Sequence, residues 1–294
     1  AQKVLAISPA TAQLYTALGH PLAMTVETTD FFTAADIPGL YDRLREVNKD
    51  TLDLGRVDGG LGPNIELVFQ IDPDVIVSEW AVGDVGKPAE VVAPVLTLTH
   101  LDSWKEVTRF AGELIGEEAE TEALLTAYEE RVQILRAQFD DPSEITISNV
   151  RLYHDRNSIN LPAGFAGQIL TEVGFSLPEG QLELVTDNSS YAEIEVSEER
   201  IDLIDADYLF IFGGFPNDTL VNLGTTSDTV VEAFLNDPLF NTLNVAEAGN
   251  VHEVDMHWSV TGIYSAHYLL DDLFRTVAGV DPATVAPNPL LISE

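Results

Sequence analysis

The chain carries one segment twice, and that duplication constrains its fold more than any other feature. Residues 66–77 read Glu-Leu-Val-Phe-Gln-Ile-Asp-Pro-Asp-Val-Ile-Val, and residues 199–210 read Glu-Arg-Ile-Asp-Leu-Ile-Asp-Ala-Asp-Tyr-Leu-Phe. The two align without a gap, Glu199 standing 133 residues after Glu66. Each copy opens on an acid, continues with apolar residues at helical positions, turns at Ile-Asp-x-Asp and ends in an apolar strand. Aspartates suit that turn because their side chains bond nearby backbone groups as the chain leaves a helix. One helix-turn-strand unit in each half predicts two lobes of similar topology.

The rest of the chain fits that scheme. Val4-Leu5-Ala6-Ile7 reads as a buried strand, and Ser8-Pro9 starts a helix through Leu14 and Leu18 that Gly19 ends. Further strands are expected at 22–26, 74–78 and 95–98, and Pro63 to Phe69 reads as a helix opening. The longest helical stretch runs from Asp102 to Phe139, with Gly112 and Gly116 predicted to break it in two. Its second part, from about Glu117, places Leu124, Leu125, Tyr128, Val132 and Leu135 on one face. At 1.5 Å per residue it spans roughly 34 Å, enough to join two lobes. The expected fold is α/β, with two Rossmann-like lobes joined by a single long interlobe helix. The expected boundaries are 1–116 for the N-terminal lobe, 117–141 for the helix and 142–294 for the C-terminal lobe.

Composition removes several functions. The 14 Lys and Arg face 49 Asp and Glu, a net charge of −35, so nucleic acid and anionic headgroups are repelled rather than bound. Such a surface suits a saline setting, where salt screens repulsion between like charges; attraction of a cationic ligand is the other reading. The absence of Cys excludes a thiol nucleophile, a Cys-ligated zinc and an iron–sulfur cluster. No apolar run reaches the roughly 18 residues that span a bilayer. A start at Ala1-Gln2, without Met or an apolar leader, is expected for a processed, exported chain.

Catalytic motifs are missing. There is no His-Glu-x-x-His, no G-x-S-x-G elbow, and Gly213-Gly214 is neither a dinucleotide fingerprint nor a Walker loop. The six His show no recognised metal spacing, so no metal site is expected. Binding residues are better marked. Trp80 follows the strand 75–77 and Phe215 follows the matching strand of the second half, where open α/β sheets receive ligands. Arg151, Tyr153, His154 and Arg156 cluster at the first strand of the second half and its exit. With only ten Arg in the chain, two there mark a place to hydrogen-bond anionic oxygens.

Three further sets of residues carry a resemblance. Leu54-Gly55, Pro63-Asn64-Ile65-Glu66 and Asp72-Pro73-Asp74-Val75-Ile76-Val77 form the first; Val196-Ser197-Glu198-Glu199-Arg200-Ile201 with Ile204-Asp205-Ala206-Asp207 form the second; Trp258, Gly262 and Leu270-Asp271-Asp272-Leu273 form the third. In this order the chain resembles the substrate-binding proteins of ABC importers for iron siderophores and cobalamin. The resemblance implies a shallow ligand cleft between the lobes, a ferric siderophore as ligand, no resident cofactor, no catalysis and a monomer. Cobalamin and haem are the alternative ligands, and a metal-dependent hydrolase on an α/β scaffold is the alternative class. The resemblance also adds Trp258 and Arg56 to the ligand residues, although the segment from Arg56 to Gly62 is longer than the family pattern. It further implies a periplasmic or extracytoplasmic place, a lipid anchor before processing, and docking of Glu66 and Glu199 onto a permease dimer with its ATPase.

Overall fold

Strand β1 (Val4–Ile7) leads into helix α1 (Pro9–Leu18), and the sequence sets both ends of that helix. The Ser8 hydroxyl accepts a hydrogen bond from the Thr11 amide at 3.1 Å, Pro9 sits in the first turn, and Gly19 leaves the helix at φ 70°. The computed structural model describes residues 3–21, 23–25, 37, 40–47, 53–54, 65–78, 89–98, 103–153, 156–187, 192–213 and 227–291. The chain divides into two compact units. The first comprises Ala1–Glu129, Val260–Tyr268 and Asn288–Glu294, and the second comprises Glu130–Ser259 and Leu269–Pro287.

In the first unit, among the described residues, β1 joins β2 (Ala23–Thr25), β3 (Asp53–Leu54), β4 (Val75–Ser78) and β5 (Val95–Thr97) in a parallel sheet of order β3-β2-β1-β4-β5. Helix α2 (Leu40–Val47) precedes β3, and α3 (Ile65–Ile71) precedes β4. Val68 and Ile71 of α3 pack with Leu5, Ile76 and Ala93. Burying each of the Val, Leu and Ile side chains contributes roughly 1.5–3 kcal/mol.

Helices α4 (Trp104–Ile115) and α5 (Glu118–Arg136) follow. Only Gly116, at φ 77°, separates them with Glu117; Gly112 lies inside α4, against the expectation that it breaks the helix. Its role is proximity: a Cβ there would stand 2.2 Å from Thr121 Oγ1 of α5. The same helix pair is tied by Arg109 to Glu122 at 2.6 Å, Lys105 to Glu129 at 3.3 Å, and an edge-on Trp104–Tyr128 contact at 4.9 Å. Leu125, Tyr128, Val132 and Leu135 form the buried face of α5 with Thr121, and Leu124 is half-buried at its margin.

The second unit repeats the strand order. Strands β6 (Ile147–Leu152), β7 (Asn157–Asn160), β8 (Glu193–Val196), β9 (Tyr208–Gly213) and β10 (Val251–Glu253) lie as β10-β9-β6-β7-β8. Matching β4 to β9 through the duplicated segment makes this the order of the first sheet. One strand differs: β7 runs antiparallel to both β6 and β8, whereas every pair in the first sheet is parallel. The cause is the connection. In the first unit α1 lies between the first two strands and carries the chain back, while only residues 153–156 separate β6 from β7.

Among the described residues, helices α6 (Phe165–Val173), α7 (Glu179–Asp187), α8 (Ser227–Leu235), α9 (Asn244–Ala248), α10 (Ile263–Thr276) and α11 (Pro282–Val285) follow in chain order. The second core gathers Val150, Leu152, Ile159, Leu209 and Ile211 from the sheet with Val231 and Phe234 of α8. The duplicated helix is less regular here: residues Glu198–Ile204 form a 3₁₀ turn bent at Arg200 (φ −108°, ψ 34°). The bend coincides with pairing of Arg200 to Asp202 two residues on, which a regular helix would point apart.

Candidate ligand-binding site

The short β6–β7 connection gathers the charges read from the sequence. The Tyr153 amide donates to the Arg156 carbonyl at 2.9 Å and closes the turn. Arg151, next to last in β6, and Arg156, just before β7, both bring their guanidinium groups to the Tyr153 ring, 4.6 and 4.1 Å from its centroid. A phenol face attracts such cations, which eases the repulsion between them. The cluster lies at the carboxyl end of β6 and of its parallel partner β9, the end at which open α/β sheets bind ligands.

Two carboxylates adjoin it. The register runs Phe212 (β9), Arg151 (β6), Ser158 (β7), Glu195 (β8), so these residues share one row and one face of the sheet. Glu193 shares that face, because side chains alternate along a strand. Glu195 Oε2 lies 3.9 Å from Arg156 Nε, and the Tyr153 hydroxyl lies 3.5 Å from Glu193 Oε1. Neither acid was singled out from the sequence. The signal was present in the alternation Glu-Ile-Glu-Val at 193–196, which puts both acids opposite the core-facing Ile194 and Val196.

Trp258 is buried in the second unit. It is 1% exposed, stacks on Phe210 at 4.3 Å, and donates its indole N–H to Asp272 Oδ2 at 2.9 Å. His257 Nε2 meets the same oxygen at 2.7 Å. His252 lies against Tyr208 and Phe210, and burial holds its imidazole below the ordinary value, with Asp272 opposing. The neighbouring Asp271 pairs with buried Arg131, which also donates to the Ala286 carbonyl at 2.9 Å. Glu66 is exposed in the first turn of α3, and Glu199 is exposed in the 3₁₀ turn. Arg56, Trp80, His154 and Phe215 fall outside the described residues. Among the described residues, no three of His, Asp and Glu gather as a metal site, and no helix is long and apolar enough to cross a membrane.

These features define a class before a family: a two-lobed α/β protein, each unit built on a five-stranded sheet, with two arginines gathered on a tyrosine ring at strand ends. The fold is shared with Staphylococcus aureus SirA in its complex with staphyloferrin B, at a TM-score of 0.75 and 22% identity over 94% of this chain and 92% of that one. Residues 4–256 match the periplasmic binding protein family, and the chain belongs to it. It is 27% identical over 243 residues to the probable siderophore-binding lipoprotein YfiY of Bacillus subtilis, covering 79% of this chain and 71% of that protein. It is also 28% identical over 235 residues to the achromobactin-binding periplasmic protein of Dickeya dadantii, covering 74% and 70% respectively.

Proposed function

We propose that this protein captures an anionic ferric siderophore outside the cytoplasmic membrane and hands it, chemically unchanged, to an ABC importer. The observation that carries the reading is the Arg151–Tyr153–Arg156 cluster at the carboxyl end of β6. Two cations converging on one tyrosine ring in a chain with net charge −35 are a specific arrangement for anionic oxygens. The names of the two relatives support iron-chelate binding. The siderophore's own oxygens hold the iron, while the protein contributes guanidinium donors and the Tyr153 ring; Trp80, Phe215, Arg56 and His154 are assigned to the same ligand. Trp258 acts from inside the unit by supporting β9.

The test is direct. Purified protein is mixed with ferric catecholate, hydroxamate and carboxylate siderophores, with cobalamin and with haem, then desalted and examined for retained colour and tryptophan quenching. Retention of a ferric siderophore is expected; retention of none, or of cobalamin or haem alone, would sink the reading.

Delivery is assigned to Glu66 and Glu199, one exposed acid at the equivalent place in each copy, which suits a two-fold partner with basic residues. Reversing both charges is expected to stop uptake in cells without altering affinity in solution. Normal uptake by that double variant would reduce both residues to acids placed near helix starts. The protein is assigned to the outer face of the membrane, lipid-anchored before processing. Cell fractionation that recovers it from the cytosol would reject this.

A further inference from the structure

We infer that Glu193 and Glu195 of β8 are internal competitors for the cationic ligand site, setting how much negative charge a chelate must carry to bind well. The inference rests on the ligand site proposed above. Its geometry begins with β8 itself. Ile194 and Val196 pack into the second core, which fixes the register of the strand and turns Glu193 and Glu195 toward the face that carries Arg151. They could not turn away without unseating the core.

The distances argue for competition rather than support. Glu195 stands 3.9 Å from Arg156, with the two side chains 70% and 39% exposed, and Glu193 stands 3.5 Å from the Tyr153 hydroxyl. Both separations are at or beyond the limit of a good hydrogen bond. Two other pairs are tighter: Arg109 meets Glu122 at 2.6 Å, and Arg131 meets Asp271 in full burial. The β8 carboxylates are therefore close enough to weaken the field of the guanidinium groups, yet loose enough to give way to a ligand. A strongly anionic chelate gains enough from the two Arg to displace them. A chelate with no net charge does not.

The test uses the full chain with two probes. Ferric bacillibactin is a triscatecholate, and its three dianionic arms leave the iron centre trianionic. Ferrichrome, a tris-hydroxamate, has three monoanionic arms that leave it neutral. Glu195→Gln and Glu193→Gln should each tighten the trianionic chelate roughly two- to five-fold, the range of exposed ion pairs, and leave the neutral one unchanged. The gain should shrink in about 1 M salt, where the screening length is about 3 Å. Glu130→Gln on α5 makes the same change in net charge and should have no effect. Equal tightening by Glu130→Gln, or tightening of ferrichrome by the β8 variants, would overturn the inference. So would unchanged or weakened catecholate binding by the β8 variants; if Arg156→Ala still weakened that binding, the ligand site itself would stand. Wild-type protein that binds neither probe overturns the inference; the site falls with it only if the carboxylate siderophores of the retention test also fail to bind.

Discussion

Asp74 and Asp207, equivalent residues of the duplicated segment, make the same bond in their respective units. Asp74 Oδ2 accepts from the Lys3 backbone amide at 3.0 Å, and Asp207 Oδ2 accepts from the Thr146 backbone amide at 2.8 Å. Each fastens the residue immediately before the unit's first strand to the start of the neighbouring strand. Asp207 also takes the Thr146 hydroxyl at 2.8 Å. Asp207→Ala should therefore cost about 1–2 kcal/mol in urea unfolding, with ligand affinity intact. An unchanged midpoint would mean that water replaces both bonds without loss.

Trp258 and Arg156 should separate stability from binding. Trp258→Ala removes a fully buried ring stacked on Phe210 and should cost about 3–5 kcal/mol. Arg156→Ala removes an exposed group and should lower the melting temperature little while weakening an anionic chelate. Denaturation and ligand titration on both variants decide the matter. A stable Trp258 variant with lost binding would move that indole into the ligand site.

Part of this was legible in the sequence, for physical reasons. Local rules mark local structure: Ser8, Pro9 and Gly19 bound α1, and the helical period finds the buried face of α5 through Leu125, Tyr128, Val132 and Leu135. The Arg151–Arg156 cluster was visible because the strand and its exit are contiguous. The reversal of β7 was not, since strand direction follows from connection length and not from apolar pattern. Nor was the approach of Glu193 to Tyr153, which joins residues 40 apart in the chain. Gly112 was misread as a break because its reason, contact with Thr121, lies on another helix.

Arg131 and Asp271 should show the asymmetry of buried ion pairs. Burial pushes the Arg131 guanidinium down, and Asp271 opposes that shift. Asp271→Asn leaves a buried cation without its partner and should cost about 3–5 kcal/mol. Replacing both with apolar residues of similar volume should cost less than either single change. Guanidinium chloride unfolding of the three variants tests this; additive losses would refute it.

Alkaline pH should destabilise the first unit through buried phenols. Burial pushes Tyr264 up to about 12, with Arg43 opposing, and raises Tyr15, whose hydroxyl donates to the Ala111 carbonyl at 2.9 Å. An unfolded phenol ionises near pH 10. The stability from Tyr264 is thus complete below about pH 10 and is lost as pH rises toward about 12, an effect of about 2–3 kcal/mol. Urea midpoints for wild type and Tyr264→Phe should diverge in that window, with the Phe variant falling less.

Salt should stabilise the whole protein. At a net charge of −35, self-repulsion opposes the compact state, and the screening length falls from about 30 Å at 0.01 M to about 3 Å at 1 M. Thermal melts across that range should show a rising midpoint. A flat or falling one would leave the acidity without a saline role.

The reversed strand also has a consequence in time. Among the described residues, β6 and β7 are the sheet neighbours with the shortest intervening chain, and a hairpin of this kind closes in about 1–10 μs. Parallel pairings must wait for a crossover to be threaded and its loop entropy met. Arg151, Tyr153 and Arg156 are therefore expected to meet before either sheet is complete. Pulsed hydrogen exchange during refolding should find the Tyr153 amide protected ahead of those in β4 and β5; simultaneous protection would show that the turn waits for the rest of the sheet.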